Sequence, residues 1–212
     1  GHALVINDPD AVLVSDGALE GNALQTSTEF APTGAADLTA DAIGGSSFTV
    51  SFCLDDVSLQ SASDMPFSMG ATSPGDSGVD AEFGTGAWTF HMIDDAAKEL
   101  RVPIATGSLL TAHCYGVVLD RAAGKAFGFV DGSLVSERLT SLGALTAGQA
   151  LAIGGENGEH AIGSLIDDFA IFPSAFSETG ISKLHRFAPL LQGLFARYSF
   201  EPHSDALDTV DD

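Results

Sequence analysis

Phe48-Thr49-Val50-Ser51-Phe52-Cys53-Leu54 alternates without a break, with Phe48, Val50, Phe52 and Leu54 on one side and Thr49, Ser51 and Cys53 on the other. Successive side chains of an extended backbone point to opposite faces, so this period of two marks a half-buried strand. Ala87-Trp88-Thr89-Phe90-His91-Met92-Ile93 repeats the pattern, as does the stretch 110–120, which ends in Val117-Val118-Leu119. Lys125-Ala126-Phe127-Gly128-Phe129-Val130 runs into Asp131-Gly132 and on into Ser133-Leu134-Val135. Asp-Gly between two apolar runs predicts a tight hairpin, because both residues tolerate positive φ. Ala150-Leu151-Ala152-Ile153 and 163–172 supply two more strands, and 24 glycines punctuate the chain into short runs. The one helix the pattern predicts lies at 178–187, with Ser177 as N-cap and Ile181 and Leu184 on one face. An all-β antiparallel sandwich with one short helix follows, and 212 residues fall within the range such sandwiches reach as a single domain, 1–212.

Charge narrows the function. Twenty-nine acidic residues against eight basic ones give a formal net charge of −21, a field that repels nucleic acid and anionic membrane and attracts cations. No run of 18 apolar residues marks a membrane span, and no basic segment leads into an apolar one as in a signal peptide. If the protein is exported, its leader lies outside this sequence. Cys53 and Cys114 are the two cysteines, too few for a disulfide framework or a zinc site. They read either as one bridge or as two buried thiols acting as small hydrophobes.

Three stretches together resemble the laminin-G-like group of concanavalin A-like jelly rolls. Gly163-Ser164-Leu165-Ile166-Asp167-Asp168-Phe169-Ala170-Ile171-Phe172, followed by Ala175-Phe176-Ser177 and the helix, is similar to that family's closing strand, turn and helix. Ala112-His113-Cys114-Tyr115-Gly116-Val117-Val118-Leu119-Asp120 with Phe129-Val130-Asp131-Gly132 resembles its central hairpin, and Phe48 to Leu54 its F-T-L-S-F-W-V strand, with Cys53 where tryptophan is usual. The family's opening strand is missing before Gly21-Asn22-Ala23-Leu24. Its counterpart stands at Ala196-Arg197-Tyr198-Ser199-Phe200-Glu201, with an acidic loop at 205–212 behind it. The segment 196–212 therefore closes its own sheet, as in a permuted domain, or is donated to a neighbouring copy, building an oligomer or filament by strand addition, or is the opening of a following tandem domain.

The resemblance implies an extracellular, non-catalytic recognition or adhesion module that binds a glycan or a cell-surface or matrix protein. It also implies a Ca²⁺ site at Asp167, Glu201 and Asp211, with Asp168 matching the family's glutamate; Ca²⁺ takes six to eight hard oxygen ligands, which loop carboxylates supply. Further acidic candidates are Asp55 and Asp56 after the Phe48 strand, with Asp76 and Asp80 in what reads as a glycine-rich loop. Trp88 and His91 are the candidates for contact with a sugar, Trp88 being the one tryptophan. Enzymatic readings lack their residues. No E-x-D-x-x-E run supplies the paired carboxylates of jelly-roll glucanases, no serine stands in G-x-S-x-G, and Gly154-Gly155-Glu156-Asn157-Gly158 lacks the lysine of a phosphate loop.

Overall fold

Alternating runs of this kind can bury their apolar faces only against one another, and the structure does so in two sheets. It is a computed structural model that describes residues 43–58, 65–70, 77–84, 87–104, 113–146, 150–155 and 163–185, with the backbone of strands at 4–6, 13–14, 23–25, 34–39 and 196–198. The strands are β1 (Leu4–Ile6), β2 (Leu13–Val14), β3 (Ala23–Gln25), β4 (Gly34–Thr39), β5 (Phe48–Ser58), β6 (Phe67–Gly70), β7 (Gly78–Gly84), β8 (Ala87–Ile93), β9 (Glu99–Ile104), β10 (His113–Asp120), β11 (Lys125–Val130), β12 (Ser133–Leu139), β13 (Ala150–Ile153), β14 (Gly163–Phe172) and β15 (Ala196–Tyr198). The helix α1 (Glu178–Leu184) lies between β14 and β15. One sheet runs β1-β4-β13-β6-β7-β8-β9 and the other β12-β11-β10-β5-β14-β3-β2, with β15 added to β14. Every pairing is antiparallel, and the whole is a jelly-roll β-sandwich.

Phe52 stands at the centre of the core. Its ring lies 5.5 Å from Phe67, 5.9 Å from Phe90, 5.7 Å from Tyr115 and 6.3 Å from Phe169, so β5 is joined through one side chain to β6, β8, β10 and β14. Phe48, Val50 and Leu54 share that inward face, as the alternation predicts. In β14 the alternation is broken. Asp167 stands opposite Cys53 and Ala170 opposite Ser51, so Asp168 and Phe169 together face Phe52 across a β-bulge, with Asp168 at φ +49°. The bulge resets the inward set from Ile166 to Phe169 and Ile171.

The outer face of the eight-stranded sheet is covered by residues 173–185. Val118, Phe129 and Ile181 form a second apolar cluster there, with Phe127, Phe176 and Leu184 packed against it. Ser177 caps α1 by accepting the Gly180 N–H at 3.2 Å. Thr49 Oγ1 donates to Ser174 O at 2.8 Å and accepts from Phe176 N at 3.1 Å, tying the covering segment to β5. The helix ends at Leu184 with His185 as its C-cap; 186–187, which the sequence pattern includes, lie outside the described residues. The His185 ring rests on Gly116, where a Cβ would meet it at 3.5 Å, and its Nε2 lies 3.0 Å from Ser51 Oγ. Burial pushes its pKa down to about 4, against the opposing pull of Asp131 and Asp168.

The terminal strand closes the sheet from within. Tyr198 stands opposite Phe169, Arg197 opposite Ala170 and Ala196 opposite Ile171 of the same chain. The donation of 196–212 to a neighbouring copy therefore has no support in these pairings, and 199–212 lie outside the described residues. No helix among the described residues is long and apolar enough to cross a membrane.

Two polar anchors hold the end of the sandwich nearest β8 and β9. Asp94, 3% exposed, accepts backbone N–H groups from Ala96 at 2.9 Å, Lys98 at 2.8 Å and Gly143 at 2.6 Å. Burial pushes the carboxyl pKa up, but those three donors and the Lys98 charge outweigh it and hold it below the ordinary value. Arg121 donates to Ser46 O at 2.8 Å, Gly44 O at 3.2 Å and Leu142 O, and burial lowers its pKa against the charge of Asp94. Asp94→Ala should lower the unfolding free energy by about 2–3 kcal/mol, since it leaves buried donors without a partner; urea titration reads this directly. For His185 the ring is neutral in both states above its unfolded value of about 6.5, and below it only the unfolded chain takes up the proton until about pH 4. Its contribution is thus present above about pH 6.5 and lost as the pH falls through about 4, worth at most about 3 kcal/mol. His185→Gln should flatten that part of the stability profile measured by urea titration, and an unchanged slope would refute this role.

Candidate functional site

Within the glycine-rich segment after Met69, Gly78–Gly84 is a strand. Val79, Ala81 and Phe83 of β7 alternate with Asp80 and Glu82, and Leu100, Val102 and Ile104 of β9 alternate with Glu99, Arg101 and Pro103. Together with β8, whose Trp88, Phe90 and Met92 point inward, these strands bury their apolar members in the core. The polar members project from the other face of the seven-stranded sheet. Register then assembles a row: Ser68 faces Asp80, Asp80 faces His91, and His91 faces Arg101. Ser68, Asp80 and His91 are buried at 2%, 0% and 4% exposure, although they lie outside the core.

Charge organises the row. His91 Nε2 lies 2.9 Å from Glu99 Oε1, and His91 Nδ1 lies 3.7 Å from Asp80 Oδ2. Arg101 donates through Nε to Glu99 Oε1 at 2.5 Å and through Nη1 to Glu82 Oε1, so one guanidinium spans two carboxylates. The hydrogen bond from Arg101 is the main reason that the Glu99 pKa lies below the ordinary value; burial opposes it, and the charges of Arg101 and His91 add to it. Burial works to lower the Arg101 pKa, but the two glutamates outweigh it and raise it. The result is an ordered, largely buried cluster of carboxylates, one guanidinium and one imidazole on the outer side of the seven-stranded sheet, with Glu99 and Arg101 at its exposed margin.

The candidates read from sequence separate. His91 lies at the centre of the row. Trp88 does not share its face: three residues apart in a strand is an odd step, and Trp88 is 1% exposed in the core, edge-on to Phe83 and Tyr115. Its ring is therefore no platform for a sugar, a correction to the paired reading of Trp88 and His91. Asp80 is a strand residue rather than a loop acid, and Asp76 lies outside the described residues. Asp55 and Asp56 are at the end of β5, Asp55 opposite Leu165, and their side chains are outside the described set. Asp167 is 5% exposed and accepts the Asp168 N–H at 2.8 Å through its own Oδ1. Glu201 and Asp211, the other positions matched to calcium, lie outside the described residues. Glu82, Glu99 and Arg101 were not singled out from sequence; the alternation of 78–84 and 99–104 was the signal that placed them on one face.

Of the two readings of the cysteines, the structure has the bridge: Cys53 and Cys114 form a disulfide across β5 and β10, with Cα atoms 3.9 Å apart. The Cys114 amide donates to Asp131 Oδ1 and its carbonyl accepts from Asp131 N, so neither group bonds to β5. Directly opposed residues of this non-hydrogen-bonded kind bring their side chains closest in an antiparallel pair. Asp131, at φ +49° before Gly132 at φ +77°, also holds His113 Nδ1 at 2.7 Å.

With the sandwich and its polar row defined, the chain can be set beside known proteins. No protein-family model matches it, and no curated protein sequence does. Solved structures share its fold. They include the botulinum neurotoxin serotype G binding domain at 15% identity and TM-score 0.68, covering 88% of this chain and 46% of that one. The binding domain of Paraclostridial Mosquitocidal Protein 1 is similar at 12% identity and TM-score 0.66, covering 87% and 47%. The botulinum neurotoxin serotype D ligand binding domain, solved in complex with N-acetylneuraminic acid, is similar at 16% identity and TM-score 0.67, covering 87% and 46%. The chain spans less than half the length of these structures, and at such identities the likeness is one of fold.

The bridge closes a loop of 61 residues in sequence separation. Its removal in the double variant Cys53→Ser, Cys114→Ser should cost about 4 kcal/mol on a chain-entropy basis. The midpoint of chemical unfolding with and without reductant checks this: reductant should shift the parent chain and leave the variant unmoved.

Proposed function

We propose that this chain is a non-catalytic recognition module of laminin-G-like type, a single domain over 1–212 that acts outside the cell and binds a glycan. The observation that carries this reading is the buried polar row Ser68, Asp80 and His91, flanked by Glu82, Glu99 and Arg101, on a sheet face away from the core. Holding polar groups buried and ordered costs free energy that a plain solvated face does not spend. Sugar hydroxyls both donate and accept; the carboxylates would accept from them and Arg101 would donate. The acceptor excess of the row, within a chain of net charge −21, favours neutral, hydroxyl-rich glycans over anionic ones. A shared fold with binding domains, one of them solved with the anionic sugar N-acetylneuraminic acid, adds to the glycan reading, though not to the choice of neutral glycans. Calcium at the β14 bulge, on Asp167 and Asp168 with Glu201 and Asp211, belongs to the same proposal as a stabiliser of the closing strand and rests on the sequence resemblance.

An array of neutral and sialylated oligosaccharides tests the ligand class. Neutral glycans should be retained, and Glu99→Gln and Arg101→Ala should each lower their binding by about tenfold, the effect of losing roughly one charged hydrogen bond. Both residues are about half exposed, so circular dichroism and the melting temperature should stay close to those of the parent. An array on which nothing is retained, or undiminished binding by both variants, would sink the reading.

A further inference from the structure

The row holds a second chemistry that does not depend on a glycan. Asp80, Glu82 and His91 each offer one ligand atom, and these three atoms lie within 4.8 Å of one another. Asp80 and Glu82 are two residues apart on β7 and so share a face, and His91 stands directly across from Asp80 on β8. Rigid strands of a sandwich, rather than loops, therefore set the spacing.

The imidazole is what distinguishes this cluster from a patch of acids. His91 is 4% exposed, and its Nε2 faces Glu99 Oε1 at 2.9 Å. The other ring nitrogen, Nδ1, is the one on the side of Asp80. The Nδ1 to Oδ2 spacing there is 3.7 Å, outside hydrogen-bonding reach. Two ligands placed about 2.0–2.2 Å from one ion, however, span such a distance comfortably. Glu99 in turn is fixed by Arg101. A carboxylate holding the far nitrogen of a histidine is the arrangement that orients metal-binding imidazoles. Arg101 engages one Glu82 oxygen, and the carboxylate has a second.

We infer that Asp80, Glu82 and His91 Nδ1 form a binding site for a divalent cation of zinc type, with Glu99 and Arg101 as its positioning residues. One nitrogen and two carboxylate oxygens suit a borderline ion, whereas Ca²⁺ takes oxygen ligands. The site is separate from the calcium expected at Asp167 and Asp168, and it is independent of the glycan reading because it is assayed without sugar.

The test uses the whole chain, stripped with a chelator, dialysed and titrated with Zn²⁺ alone. Isothermal titration should show one equivalent bound. A long-range proton–nitrogen spectrum of the unmodified protein, which has six histidines, should show Zn²⁺ moving the Nδ1 resonance of the single imidazole assigned to His91. Ca²⁺ should leave that resonance in place. Glu82→Gln, at a partly exposed position, should weaken Zn²⁺ binding by more than about tenfold, and Glu99→Gln by about tenfold through loss of the positioning carboxylate. Asp167→Asn should bind Zn²⁺ as the parent does. A shift confined to other histidines, no bound ion, or full affinity in Glu82→Gln would each overturn the inference. The spectrum needs no variant, so a misfolded mutant cannot shield it.

Discussion

The ring of Phe52 is the contact on which the sandwich depends. It touches aromatic residues from four other strands, in both sheets, and it can do so only because β5 keeps strict alternation from Phe48 to Leu54. That alternation sends Thr49, Ser51 and Cys53 the other way, to the face that 173–185 covers. The same seven residues thus fix the core on one side, and on the other the Thr49 anchor of the covering segment, the Ser51 contact of His185 and the disulfide to Cys114. A one-residue slip of β5 would put phenylalanines under the helix and hydroxyls into the core, so the register is heavily constrained.

The two sheets treat their outer faces differently. The eight-stranded sheet buries its outer face under a short helix and a few apolar side chains, with Gly116 making room for the His185 ring. The seven-stranded sheet instead arranges Asp80, Glu82, His91, Glu99 and Arg101 across three neighbouring strands. The Asp94 turn joins β8 to β9 and brings Glu99 and Arg101 alongside His91, and the Gly143 contact ties that hairpin to the segment 140–146. Precision on this face therefore comes from backbone register and one well-anchored turn.

Much of the fold was legible because it rests on local rules. The Phe48 alternation, the Asp131-Gly132 turn, the Ser177 cap and the 163–172 strand each follow from residues next to one another in sequence. What was not legible has a physical cause in each case. The bulge at Asp168 inserts a residue and inverts the inward set of β14, which no periodicity reports in advance. Glycines at 70, 75, 78, 84 and 86 made β7 look like a loop, although Gly78 is required there because a Cβ would meet the Met69 carbonyl at 2.6 Å. Pairing Trp88 with His91 as ligand contacts ignored parity, the rule that had correctly sorted Phe48 to Leu54. The disulfide depended on register between strands 61 residues apart, which sequence leaves open.

The acidity of the chain takes on a specific meaning at the polar row. A net charge of −21 spread over a surface mainly confers solubility, and exposed carboxylates there are screened within about 10 Å at moderate salt. Asp80 and His91 are different because they are buried, where screening by salt is weak. Arg101 answers part of that field by spanning Glu82 and Glu99, and it lies at the outer margin, about half exposed. The global field draws cations toward the surface and opposes nucleic acid, so the composition of the whole chain and the carboxylates of the row act in the same direction.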